Sequence, residues 1–111
     1  MDTGKWASGR WQVKAGKESE FIERWTAWLS WTGENIAGFR SANLLRSEDD
    51  PGRFTSFSEW DDDASAKAWK LDPGFAEKLG PVRELCDEFD GGDFDLAAAV
   101  AAPSESSRMR R

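Results

Sequence analysis

The chain has 111 residues, with 15 Lys and Arg against 21 Asp and Glu, a net charge of −6, seven Trp, seven Phe, one Cys and no His. One domain is expected at this length, with a core that leaves much surface exposed unless a second subunit covers it. A single Cys forbids an internal disulfide and a Cys-based zinc site, and the missing imidazole removes Ser-His-Asp and Cys-His catalysis. The acidic balance argues against nucleic-acid or anionic-membrane binding, both of which need surplus Lys and Arg.

In chain order, Lys5 to Ala15 alternates around Trp11 and Val13 and predicts a strand, which Ala15-Gly16 breaks. Phe21, Trp25, Trp28, Leu29, Thr32 and Ile36 then recur at three and four, one apolar stripe on a helix from about Glu18 to Ile36. Glu18 and Glu20 complement its dipole, and Ala37-Gly38 ends it. Phe39 to Ser47 reads as a second strand and Phe54 to Trp60 as a third, joined by the acidic turn Glu48-Asp49-Asp50-Pro51-Gly52.

Asp61-Asp62-Asp63 offers an N-cap for a short helix over Ala64 to Lys70, and Asp72-Pro73 starts another. The stripe Phe75, Leu79, Val82, Leu85, Cys86 and Phe89 predicts that this helix continues, kinked at Gly80-Pro81, until Gly91-Gly92. Phe94 to Ala101 is then the last strand. Residues 1–102 form the expected domain, and 103–111, rich in Ser and Arg, a disordered tail. No secretory signal is visible, and the longest apolar run, Leu96 to Ala102, is too short to span a membrane. With a free Cys86, the expected location is the cytoplasm.

The order β-α-β-β-α-β is the α+β, ferredoxin-like split βαβ arrangement, a four-stranded antiparallel sheet with helices on one face. Phe54, Ser56, Ser58 and Trp60 share one side of the third strand, with Thr55, Phe57 and Glu59 on the other. Alternation likewise puts Phe39, Asn43 and Leu45 opposite Ala42 and Leu44. Apolar groups on both faces call for a second cover. A homodimer whose sheets close into an α/β barrel is the economical one.

The runs Gly38-Phe39-Arg40-Ser41-Ala42-Asn43-Leu44-Leu45-Arg46-Ser47, Asp50-Pro51-Gly52-Arg53-Phe54, Glu59-Trp60-Asp61-Asp62 and Ala68-Trp69-Lys70-Leu71-Asp72-Pro73-Gly74-Phe75 resemble the antibiotic biosynthesis monooxygenase domain. The resemblance covers roughly residues 6 to 101 and implies a dimeric α/β barrel. The fold hosts monooxygenases, haem-degrading enzymes, decarboxylases and isomerases, so it does not name one activity.

Two catalytic patterns of that family are checkable by position. The haem-degrading branch places an Asn in the first strand, a Trp in the middle helical region and a His ten residues later. Here Gly9, Trp69 and Leu79 stand there, so a His-ligated haem is not expected. The quinone-forming branch, which uses neither metal nor flavin, places an Asn and a Trp four apart on the third strand and a Tyr six residues on. Here Ser56, Trp60 and Ala66 stand there. In that chemistry the ionised substrate passes an electron to oxygen, while the protein supplies orientation, a dry pocket and hydrogen bonds.

The resemblance nominates Trp60 and Trp69 as catalytic positions with no cofactor or metal, and strand alternation adds Asn43, Ser56 and Ser58 as candidate substrate-binding residues. Each has a structural reading beside it: core or interface aromatics, a backbone-bonded amide, and small fillers beneath packed rings. Cys86 reads as a small buried hydrophobe, and the acidic runs as solvated caps. The functions carried forward are a cofactor-independent monooxygenase or tailoring enzyme on an aromatic, polyketide-like molecule, and a non-catalytic binding or structural dimer. A cyclase or isomerase on the same scaffold is a third. A cavity of a few hundred cubic ångströms beside Trp60 and Trp69 separates the first from the second.

Overall fold

A computed structural model describes residues 4–103. Its elements are β1 (Lys5–Val13), α1 (Glu18–Asn35), β2 (Phe39–Arg46), β3 (Arg53–Trp60), α2 (Asp63–Leu71), α3 (Pro73–Arg83) and β4 (Cys86–Asp95). The strands form one antiparallel sheet in the order β2-β3-β1-β4, with the helices on one face. The ferredoxin-like order therefore holds, with its second helical leg split in two. No helix among the described residues is long and apolar enough to cross a membrane. The expected tail lies outside the described residues apart from Pro103.

The split has a local cause. The Asp62 side chain accepts from the Ser65 N–H and caps α2, and Asp72 does the same for the Gly74 N–H at 2.8 Å and caps α3. Pro73 then occupies the first turn of α3, where its missing N–H costs nothing. In α1 the predicted stripe is the buried face: Phe21, Trp25, Trp28, Leu29 and Thr32 all point at the sheet.

Two expectations are corrected. The second long helix stops at Arg83, and the last strand is Cys86–Asp95 rather than Phe94 to Ala101. Asp87, Asp90, Gly91, Gly92 and Asp93 are poor helix formers, and β1 would be an open edge without this partner. Gly91-Gly92 does not end a helix; it lies mid-strand opposite Gly9 and Ser8. Pro81 sits inside the last turn of α3 without ending it, since the Glu84 N–H still reaches the Gly80 carbonyl.

The second correction is in β2. A register shift between Phe39 and Ser41 pairs Phe39 with Trp60, Ser41 with Glu59 and Ala42 with Ser58. The extra residue, Arg40, turns outward to Asp61 at 2.6 Å. Beyond this bulge Ala42 and Leu44 face the helices, while Asn43 and Leu45 face away from them. Simple alternation from Phe39 assigns Asn43 to the wrong side.

Gly16 and Gly38 have left-handed φ values of 86° and 89°. A Cβ at Gly16 would meet open space, whereas one at Gly38 would collide with the side chain of Ser65. Gly16→Ala should therefore cost about 1–2 kcal/mol, the backbone contribution alone. Gly38→Ala should cost about 1 kcal/mol or more beyond that, because the first turn of α2 must shift. Urea unfolding of the two variants measures the difference, and equal losses would refute the packing of Gly38 on α2.

Candidate functional site

Strand register explains where the molecule keeps its space. Directly opposed residues share a sheet face, so the helix-facing side is a set of transverse rows. One outer row is Arg46, Phe54, Trp11 and Phe89, and the other is Phe39, Trp60, Lys5 and Asp95. Between them lie Leu44, Ser56, Gly9 and Gly91, and then Ala42, Ser58, Ala7 and Asp93. Bulky rows thus flank two rows of mainly small side chains. The aromatic rows hold the helices off, and the small rows leave a trough beneath them.

That trough is a cavity of about 230 Å³. Its floor is Ala7, Gly9, Ser56, Ser58, Gly91 and Gly92; Trp11 and Phe89 close one end; Trp25, Trp28, Leu29, Trp69, Phe75 and Leu79 form the roof. Lys70 and Asp93 are the charged residues among those lining it, and they pair with each other. Trp28 stacks on Trp69 with ring centroids 5.5 Å apart, and Phe75 meets Trp69 edge-on at 4.8 Å.

Three indoles are fixed by hydroxyls. Trp11 Nε1 donates to Ser56 Oγ at 3.1 Å, Trp60 Nε1 to Ser58 Oγ at 2.9 Å, and Trp69 Nε1 to Thr32 Oγ1 at 3.0 Å. Thr32 passes its own O–H to the Trp28 carbonyl at 2.9 Å. Ser56 and Ser58 make no such onward bond among the described residues, so each retains an O–H to donate. Trp28 differs: its indole N–H is buried without an acceptor among the described residues, and packing alone positions the ring.

The predicted site residues therefore divide. Trp69, Ser56 and Ser58 line one cavity. Trp60 is fully buried behind it, with its ring 4.8 Å from Trp69, and reaches the space through Ser58. Asn43 is exposed on the opposite sheet face, opposite Phe57, and does not join the others. Gly9, Trp69 and Leu79, the three positions compared with the haem-degrading pattern, all border the cavity, with an aliphatic side chain where that branch has its axial ligand.

Periodicity assigns Trp11, Trp28 and Phe89 to packing and Gly91-Gly92 to a helix end, and nothing in it places Lys70 or Asp93 at a cavity. The signal for the glycines was present, since two adjacent glycines inside an apolar pattern also mark a strand approached closely by something else. Cys86 makes no nucleophile, because burial pushes its thiol up to about 11.

A family model described as antibiotic biosynthesis monooxygenase matches residues 7–77. Among solved structures, SnoaB, a cofactor-independent oxygenase from Streptomyces nogalater, is 22% identical with a TM-score of 0.78, covering 92% of this chain and 99% of that one. A conserved protein from Methanosarcina mazei Go1 is 20% identical with a TM-score of 0.73, covering 83% and 91%. A Nitrosomonas europaea protein that bears the family's name is 19% identical with a TM-score of 0.75, covering 91% and 97%. At these identities the likeness is one of fold. No curated protein sequence matches the chain.

The buried Thr32 hydroxyl satisfies Trp69 and positions the cavity roof, so Thr32→Val, which keeps the volume, should cost about 1–3 kcal/mol. Thr26 makes the same bond to the carbonyl four residues back on the exposed side, and Thr26→Val should cost little. Chemical denaturation compares them, and equal stabilities would show that the Trp69 bond contributes nothing.

Proposed function

Because the chain belongs to the antibiotic biosynthesis monooxygenase family, we propose that it is a cofactor-independent monooxygenase, or a related tailoring enzyme, acting on an aromatic, polyketide-like molecule in the cavity between sheet and helices. The observation that carries this reading is the pairing of aromatic walls with two serine hydroxyls that each already accept from a tryptophan and keep an O–H to donate. Such hydroxyls are preset to donate. They suit a phenolate or carbonyl oxygen on a flat ring pressed against the glycine floor.

The chemistry asks little else of the protein. An ionised phenol is an electron donor: one electron passes to O₂, and recombination of the two radicals places a peroxide on the ring carbon. Cleavage of the O–O bond with loss of that carbon's hydrogen leaves a second carbonyl. In total a phenol O–H, a ring C–H and one O₂ become a quinone and one water, so no outside reductant is needed. Trp69 and Trp28 hold the ring plane, Trp60 fixes Ser58, Trp11 fixes Ser56, and the apolar roof excludes water from the intermediates.

The same reading includes a homodimer. The sheet face turned away from the helices exposes Phe57 at 36%, Phe94 at 54% and Leu45 at 55%. Trp6, Phe57, Phe94 and Leu96 line a shallow apolar hollow there, with Asn43 at its side. A contiguous apolar face of this kind on a four-stranded sheet suits a second copy of itself.

Two measurements test these statements. Dihydroxynaphthalenes should drive oxygen uptake that survives metal chelation, and a combined Ser56→Ala, Ser58→Ala variant should lose about tenfold to 100-fold of the rate while remaining folded. A flat oxygen trace across a broad phenol panel would count heavily against the oxygenase and leave the binding module and the cyclase or isomerase. In sedimentation equilibrium the wild type should run at twice the chain mass, and Phe57→Lys should move it toward the monomer. A wild type that runs as a monomer at high concentration would remove the dimer.

A further inference from the structure

The cavity has a charged feature that the reading above does not use. Lys70 on α2 and Asp93 on β4 both line it, and Lys70 Nζ pairs with Asp93 Oδ1 across the gap between helix and sheet. Asp93 ends the same transverse row that holds Ser58 and Ala7, two strand spacings from the serine, about 9–10 Å. The trough therefore has hydroxyl donors toward one side and an ion pair at the other. Lys70 also follows Trp69 directly, so the bond that fixes the Trp69 indole fixes the root of the lysine.

The neighbouring charges are occupied elsewhere. Lys5 pairs with Asp95 at 2.6 Å and Asp63 at 3.4 Å, Lys67 with Asp63 at 2.9 Å, and Arg10 with Asp90 at 3.0 Å. Lys70 is thus the cation that borders the cavity among the described residues. Its side chain is the more covered member of its pair, 36% exposed against 59% for Asp93. An ion pair this exposed contributes little, because water screens it and two flexible side chains must be held. Exchanging the carboxylate for another anion is therefore cheap.

An anion formed inside the apolar trough meets the opposite situation. Without a countercharge it is strongly disfavoured, and the two serine hydroxyls carry no charge. Resting on the aromatic-ligand reading, we propose that Lys70 leaves Asp93 to bind the phenolic oxygen of the ligand and favours its ionised form. The phenol O–H breaks heterolytically, its proton passes to solvent at the mouth, and the oxygen keeps the electron pair that the reaction with O₂ later draws upon. Lys70 is then a catalytic residue that touches the reacting oxygen, and Asp93 is its resting partner.

The probe for this is 4-nitrophenol, whose ionised form has its own visible absorption band, titrated with pH in the presence of saturating protein. With the wild type, the bound probe should ionise at a pKa at least one unit lower than the free probe, a tenfold preference for the phenolate. Lys70→Met, which keeps most of the apolar stem, should abolish that preference, Lys70→Arg should restore part of it, and Asp93→Asn should preserve or deepen it. Gly91→Val, whose added bulk projects into the trough floor, should release the probe altogether.

An unshifted or raised pKa with wild-type protein overturns the role of Lys70 and leaves the aromatic-ligand reading standing. So does a depression that survives in Lys70→Met, or one lost in Asp93→Asn. A probe that still binds with the shift in Gly91→Val lies outside the cavity and overturns the assignment too. Failure of the probe to bind wild-type protein removes both readings. A Lys70-dependent shift without oxygen uptake from dihydroxynaphthalenes upholds Lys70 as the countercharge of the bound phenolate and removes the oxygenase, and with it the catalytic role.

Discussion

Everything at the centre of this fold depends on what its middle sheet rows lack. Gly9 and Gly91 face each other across β1 and β4, and Ser56 on β3 and Leu44 on β2 continue the row. None of these glycines has a positive φ, so the backbone does not require them. Glycine inside a strand is a net cost, since it adds conformational freedom to the unfolded chain and packs nothing. What it provides is room. A Cβ at Gly9 would lie 2.8 Å from the Trp11 indole nitrogen and 2.9 Å from Ser56 Oγ, so the hydrogen bond between those two residues exists only because position 9 is bare.

That bond belongs to a set with a common logic. An indole N–H only donates, so burying it requires an acceptor, and a hydroxyl that accepts is left with a hydrogen to place. At Thr32 the hydrogen goes to the Trp28 carbonyl and the arrangement closes on itself. At Ser56 and Ser58 it has no protein destination among the described residues, and both side chains border the cavity. One chemical motif thus serves as internal bracing in α1 and as an unspent donor on the sheet.

Periodicity carried most of the architecture. The stripe of α1, the caps at Asp62 and Asp72 and the alternation of β3 were legible because each is a local property of adjacent residues. The failures share one cause: a partner strand decided the matter. Nothing in Phe39-Arg40-Ser41 announces that Arg40 will be extruded, yet the pairing of Phe39 with Trp60 and of Ala42 with Ser58 demands it, and Asn43 changes face as a result. Likewise, Phe75 through Phe89 keeps a helical spacing, but β1 needs an edge partner and takes Cys86 onward. Ser56 and Ser58 could be placed from sequence because β3 is regular throughout. Lys70 and Asp93 could not, because their meeting joins a helix to the strand that the periodicity misassigned.

The absence of imidazole then has a positive consequence for the cavity. With no imidazole in the chain, the site cannot shuttle protons by the usual side chain, and among the described residues its charge comes from Lys70, Asp93 or whatever enters. The chain as a whole carries −6, which opposes an entering anion, but exposed charges beyond about 10 Å are screened at ordinary ionic strength. The nearest charge decides instead. Inside an apolar trough a single ammonium at the rim outweighs a distant acidic surface, so an acidic protein can still host an anionic ligand. The lysine that does so needs a carboxylate beside it when the cavity is empty, and Asp93 fills that place.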